Sequence, residues 1–124
     1  MPYLTDDMRM VTNVTSVSAG GNSDIIFIGY TGINFIQIES FYICNDNLQS
    51  DGLFDISMHD PFGNLVGVLY KNAEIPPETT TLLFSKENIA ILTDQSGSPF
   101  SIKVSVATGS ATLRVITSLV IGYA

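Results

Sequence analysis

The sequence predicts an all-β fold: an antiparallel β-sandwich of about seven to eight strands, jelly-roll or immunoglobulin-like, with an N-terminal arm. Three observations predict it. Short segments alternate apolar and polar side chains, as in Leu53 to Met58 and Phe100 to Val106, the period of a half-buried strand. Clusters of Gly, Pro, Asn and Asp separate them roughly every 8–12 residues. No stretch carries the 3.6-residue apolar period and capping residues of a helix.

Residues 1–23 differ from the rest, with Asp6-Asp7, Met8-Arg9-Met10 and a polar stretch ending in Ala19-Gly20-Gly21-Asn22-Ser23. They read as an N-terminal arm or an edge strand, and residues 24–124 as the sandwich. Val11, Val14 and Val17 recur every third residue, which fits neither strict alternation nor a helix rich in β-branched residues. The apolar run Asp24 to Tyr30 is a buried-type strand, closed by Thr31-Gly32.

Ile33 to Cys44 is the longest strand and the one the others should flank. Because side chains alternate between faces, Ile36, Ile38, Tyr42 and Cys44 form the expected core face. Phe35, Phe41 and Ile43 then share the other face with Gln37 and Glu39 and need cover from a loop, an arm or another subunit. The loop Asn45 to Gly52 leads to Leu53–Met58, where Phe54, Ile56 and Met58 alternate with Asp55, Ser57 and His59. Asp60-Pro61-Phe62-Gly63-Asn64 has turn chemistry, so Leu65–Tyr70 should return as a hairpin partner. Two consecutive prolines at Pro76-Pro77 remove ladder donors and mark a crossing between sheets. Thr79 to Phe84 is a strand, Lys86-Glu87-Asn88 a turn and Ile89 to Leu92 a short strand. Phe100–Val106 and Ala111–Gly122 close the domain. The expected core is Ile36, Ile38, Tyr42, Phe54, Ile56, Met58, Val104, Val106, Val115 and Leu119.

With 124 residues the chain suits a single core. Charged residues make up 14% against a usual figure of about 25%. The net charge of −7, with Arg9, Lys71, Lys86, Lys103 and Arg114 scattered along the chain, offers no basic footprint, so no nucleic-acid partner is expected. The N-terminus lacks the charged and apolar regions of a signal peptide, and no apolar run approaches the ~20 residues of a membrane helix. A soluble protein of a reducing cytoplasm is expected, with no membrane partner, and the sequon Asn13-Val14-Thr15 is then chance. Cys44, the lone cysteine, is expected to be a buried, inert thiol.

Candidate chemistry is sparse. His59 is the only histidine, with Asp55, Ser57 and Asp60 nearby. Ser57 sits in no nucleophile elbow, so no catalytic residues and no enzyme activity are expected. Asn45-Asp46-Asn47 with Asp51-Gly52 is oxygen-rich but lacks calcium-loop spacing; these are ordinary turn residues, and no metal or cofactor is expected. The chain has no tryptophan, which weakens an aromatic sugar platform.

From Tyr42 onward the order of motifs resembles small β-sandwich structural proteins of tailed-bacteriophage virions. The matching elements are Tyr42-Ile43-Cys44-Asn45-Asp46-Asn47, the following strand pair, Ile75-Pro76-Pro77-Glu78-Thr79-Thr80, and alternating strands at Ile102–Val106 and Thr112–Tyr123. The resemblance covers residues 33 to 123 and departs at Ile89 to Ser98, where a compact Gly-Asp turn is usual. It implies a non-enzymatic virion protein, assembled in the host cytoplasm: a capsid decoration or cement protein that binds the major capsid protein and self-associates as a dimer or trimer. Head–tail or tail components are alternatives within the same resemblance. A glycan- or cell-surface-binding sandwich module is the alternative outside it. The expected partner-binding residues are Tyr3, Leu4, Met8, Met10 and Val11 of the arm and Phe35, Phe41 and Ile43 of the long strand.

Overall fold

The computed structural model describes residues 8–26, 33–85 and 100–123. They form eight strands: β1 (Met8–Val17), β2 (Asn22–Ile26), β3 (Ile33–Asn45), β4 (Gly52–His59), β5 (Leu65–Ile75), β6 (Thr79–Ser85), β7 (Ser101–Val106) and β8 (Leu113–Tyr123). Two antiparallel sheets of four strands face each other, in the orders β1-β8-β3-β6 and β2-β7-β4-β5. Strand β1 pairs with β8, β2 with β7, β3 with β6 and β4 with β5. The chain is thus one long antiparallel ribbon, β1–β4 against β5–β8, rolled until β3 meets β8 and β4 meets β7. This nesting is the jelly roll; the immunoglobulin arrangement groups its strands differently.

The core lies between the sheets. Ile36, Ile38, Phe41 and Ile43 of β3 and Leu113, Val115, Leu119 and Ile121 of β8 are fully buried against Phe54 and Ile56 of β4 and Ile102, Val104 and Val106 of β7. Rings from four strands then close one flank. Phe41 stacks on Phe84 with centroids 4.5 Å apart, Phe84 meets Tyr70 at 6.4 Å, and Tyr70 meets Phe54 at 6.1 Å. Tyr70, half-buried, keeps its hydroxyl satisfied by donating to the Leu83 carbonyl at 2.8 Å.

Strand β3 departs from the alternation expected of it. Its register against β8 shifts between Ile38 and Ser40, leaving Glu39 as the extra residue of a β-bulge, and one extra residue exchanges the two faces of everything that follows. Ile36 and Ile38 therefore face the core in one parity, and Phe41, Ile43 and Asn45 in the other. Tyr42, expected in the core, is 37% exposed, and Cys44 is half-buried on the outer face. Phe41 and Ile43, expected to meet a partner, are 0% exposed and belong to the core itself. Met58 is half-buried, packed against the core.

Two further elements differ from expectation. Strand β5 runs on to Ile75, its extra length absorbed at three register shifts against β4. Strand β1 pairs with β8 without interruption from Met8↔Gly122 to Val17↔Leu113, so residues 8–17 take the edge-strand form rather than a free arm. Simple alternation explains its valines: Val17 is buried and Val11 packs on the core, whereas Val14 is 60% exposed. The prolines Pro76-Pro77 sit where expected, carrying the chain from β5 in one sheet to β6 in the other. The predicted turn at residues 86–88 and strand at residues 89–92 lie outside the described residues.

Candidate functional site

The bulge in β3 gives the outer face of the β1-β8-β3-β6 sheet its character. By turning Tyr42 outward it completes a row running across all four strands, Val14↔Ile116, Ile116↔Tyr42 and Tyr42↔Leu82. Val14, Tyr42 and Leu82 are 60%, 37% and 47% exposed. Met10, 68% exposed, lies further along the edge strand β1 opposite Val120, separated from this apolar ladder by the polar pair Thr12 and Ser118. A second exposed group, Phe62, Leu65, Val66 and Val68, sits at the tip of the β4–β5 hairpin.

The residues expected to bind a partner thus separate. Met10 is on the exposed edge, Val11 is half-buried on the core, and Phe41 and Ile43 are interior. Met8 and Phe35 are placed in β1 and β3 by backbone pairing with Gly122, and Tyr3 and Leu4 lie outside the described residues. Simple alternation does not find Tyr42 and Leu82, because their outward orientation depends on the β3 bulge and a matching shift in β6. The one signal for them was the strong apolar content on both parities of β3.

Asp55, Ser57 and His59 share the outer face of β4, but they do not assemble into a triad. Ser57 Oγ and His59 Nε2 are 3.1 Å apart, and His59 Nδ1 lies 3.4 Å from the Gly63 carbonyl, not from a carboxylate. Asp55 instead accepts from the Asn72 backbone N–H at 2.6 Å and pairs with Lys71 at 3.6 Å. Asp60 accepts from the backbone N–H groups of Phe62 and Asn64 and from the Asn64 side chain. These bonds, led by that of the Asn64 N–H, hold its carboxyl below the ordinary value of 3.8. Among the described residues, then, His59 has a backbone carbonyl where a triad has its orienting acid.

The oxygen-rich loop after β3 spends its ligands on itself. The buried Asn45 donates to the carbonyls of Ser50 (2.8 Å) and Ile75 (3.2 Å) and accepts from the Asn47 N–H at 3.0 Å. Asn47 in turn accepts from the N–H groups of Gln49 and Ser50, and Asp46 accepts from Cys44 Sγ and pairs with Arg114 at 2.6 Å. Asp51 meets Glu74, whose pKa is raised first by their shared hydrogen bond and then by the proximity of the two charges. Among the described residues no three His, Cys, Asp or Glu side chains cluster as a metal ion would need.

A cleft of about 420 Å³ opens beside Asp55, at the end of the β2-β7-β4-β5 sheet. Gly20 and Gly21 of the β1–β2 turn and Ala107 and Thr108 after β7 form part of its wall, and Asn22, Leu53, Asn72 and Ser105 complete it. Gly20 has φ +76, a left-handed conformation in which a Cβ is strained, and its N–H donates to the Val106 carbonyl at 2.9 Å.

No protein-family model and no curated protein matches the chain. Solved structures do. The VP2 protein of infectious bursal disease virus in derived T=1 particles superposes with a TM-score of 0.50 and 12% identity over 94% of this chain and 32% of VP2. The T13 particle of the same virus gives 0.50 and 12% over 95% and 31%. The Bacillus endospore appendage protein, of a family of disulfide-linked pili, gives 0.43 and 8% over 99% and 96%. The chain spans about a third of the length of the capsid proteins it matches. At 12% identity the likeness to VP2 is one of fold alone.

Proposed function

We propose that this chain is a non-enzymatic structural component of a virion, a jelly-roll subunit that attaches to the capsid lattice as a decoration or cement protein. The observation that carries this reading is the apolar ladder Val14–Ile116–Tyr42–Leu82 across the solvent face of a whole sheet. Exposed contiguous apolar surface of this kind marks protein–protein contact, and an aromatic at its centre is a typical interface anchor. The likeness of fold to a viral capsid protein supports the reading, as does a surface of hydroxyls and amides with few charges. Low charge lowers the desolvation cost of broad, flat contact with neighbouring subunits.

The test is co-sedimentation of the full chain with empty shells assembled from the major capsid protein of the same virus. The expected result is saturable binding at micromolar concentration and shells that withstand a higher temperature once decorated. Failure to co-sediment, together with a strict monomer by light scattering, overturns the proposal.

A further inference from the structure

The cleft beside Asp55 has no part in the assembly reading, and its lining is chemically coherent. Four polar residues stand in a row across the outer face of the β2-β7-β4-β5 sheet, one from each strand. Asn22 pairs with Ser105, Ser105 with Asp55, and Asp55 accepts from the Asn72 N–H. Three inter-strand spacings make the row roughly 14 Å long. Thr108 overhangs it from the turn after β7, with its Oγ1 3.4 Å from where a Cβ on Gly20 would stand.

The state of these groups points to a ligand class. Asp55 is already partnered by Asn72 N–H and the Lys71 ammonium, so the cleft presents fixed acceptor oxygens without a bare charge. The side chains of Asn22, Asn72 and Thr108 are exposed in the cleft and that of Ser105 is half-buried. Their amides and hydroxyls therefore offer donors and acceptors together. Leu53, 40% exposed, and Ala107 give the same cleft an apolar patch. A net charge of −7 disfavours an anion, and a lone, partnered carboxylate is a poor cation site. Vicinal hydroxyls, each donating and accepting, with a C–H face to lay on Leu53, match this surface. The volume lies within the usual range for small-ligand sites, about 300–1,000 Å³.

We propose that this cleft binds a neutral saccharide, with Asn22, Asp55, Asn72, Ser105 and Thr108 hydrogen-bonding its hydroxyls and Leu53 packing on its ring. Among the described residues lining the cleft the one aromatic, Phe54, is 3% exposed and offers no platform; a single site is then expected to bind weakly, at about millimolar strength. The proposal stands independently of the assembly reading, because the cleft and the apolar ladder are on opposite sheets.

The experiment is a backbone amide NMR titration of the full chain with neutral hexoses, N-acetylhexosamines and their disaccharides, alongside a peptide-like amide control, glycinamide. At least one sugar should shift the amides of residues 20–22, 53–55, 72 and 105–108 saturably. Asn22→Ala and Ser105→Ala should each weaken that sugar about tenfold, the effect of losing one good hydrogen bond, with an unchanged melting temperature. Absence of saturable shifts with every sugar, shifts centred elsewhere, equal response to glycinamide, or undiminished affinity in both variants overturns the proposal.

Discussion

Asn45 links three parts of the molecule through one buried amide, tying the loop after β3 to Ser50 and to the end of β5 at Ile75. Asn45→Ala strands the carbonyl of buried Ile75, and a stability loss of about 1–3 kcal/mol is expected from denaturant unfolding. Thr117 is the opposite case: fully buried in β8, its hydroxyl has no hydrogen-bond partner among the described residues. Thr117→Val keeps the shape and removes the unpaired group, so equal or higher stability, by up to about 1 kcal/mol, is expected. Glu74 and Asp60 should bend the pH profile in opposite directions. The pKa of Glu74 is raised by Asp51, so its contribution is present below the ordinary carboxylate range and lost as pH rises through the raised value. That of Asp60 is lowered by the Asn64 and Phe62 N–H groups, so its contribution is present above 3.8 and lost as pH falls through the lowered value. Glu74→Gln should therefore melt higher than the parent at neutral pH and converge with it in acid, whereas Asp60→Asn should melt lower at neutral pH and converge in acid. Melting curves at several pH values check both.

Strand positions were largely legible because alternation is local: Leu53–Met58, Ser101–Val106 and Leu113–Leu119 each carry their buried face in the sequence. Strand β3 shows where that reasoning stops. One inserted residue, Glu39, leaves composition and length looking normal yet exchanges the faces beyond it, and nothing local to residues 41–45 signals the exchange. It follows that Phe41→Ala should cost about 3–5 kcal/mol, the usual penalty for emptying an aromatic core site, while Tyr42→Ala one residue away should cost much less. Denaturant midpoints of the two variants check this, and equal costs would mean that the β3 bulge is misplaced. Gly52, at the start of β4, reads in the sequence only as a turn residue. A Cβ there would collide with buried Leu113 and come within 2.9 Å of Ile75 Cγ2, so close packing rather than turn geometry demands glycine.

At the scale of the molecule, the nested pairing of β1–β4 with β5–β8 was beyond the sequence, since both sandwich topologies share the same spacing of strands and turns. Pairing of β1 with β8 joins the two ends of the described chain across ten residue pairs. Deleting residues 1–20 should therefore lower the melting temperature sharply instead of merely releasing an appendage. The candidate surface was half legible: excess apolar side chains on β3 pointed to an outer face in need of cover, but the apolar residues exposed there are Tyr42, Leu82 and Val14, whereas Phe41 and Ile43 are interior. The most direct measurement is shell co-sedimentation with two single variants, Leu82→Glu on the apolar ladder and Val68→Glu at the hairpin tip, both at exposed positions. Loss of binding with Leu82→Glu, at unchanged melting temperature and with Val68→Glu binding normally, is the predicted result. Undiminished binding by Leu82→Glu would contradict the assignment of the β1-β8-β3-β6 face as the assembly surface.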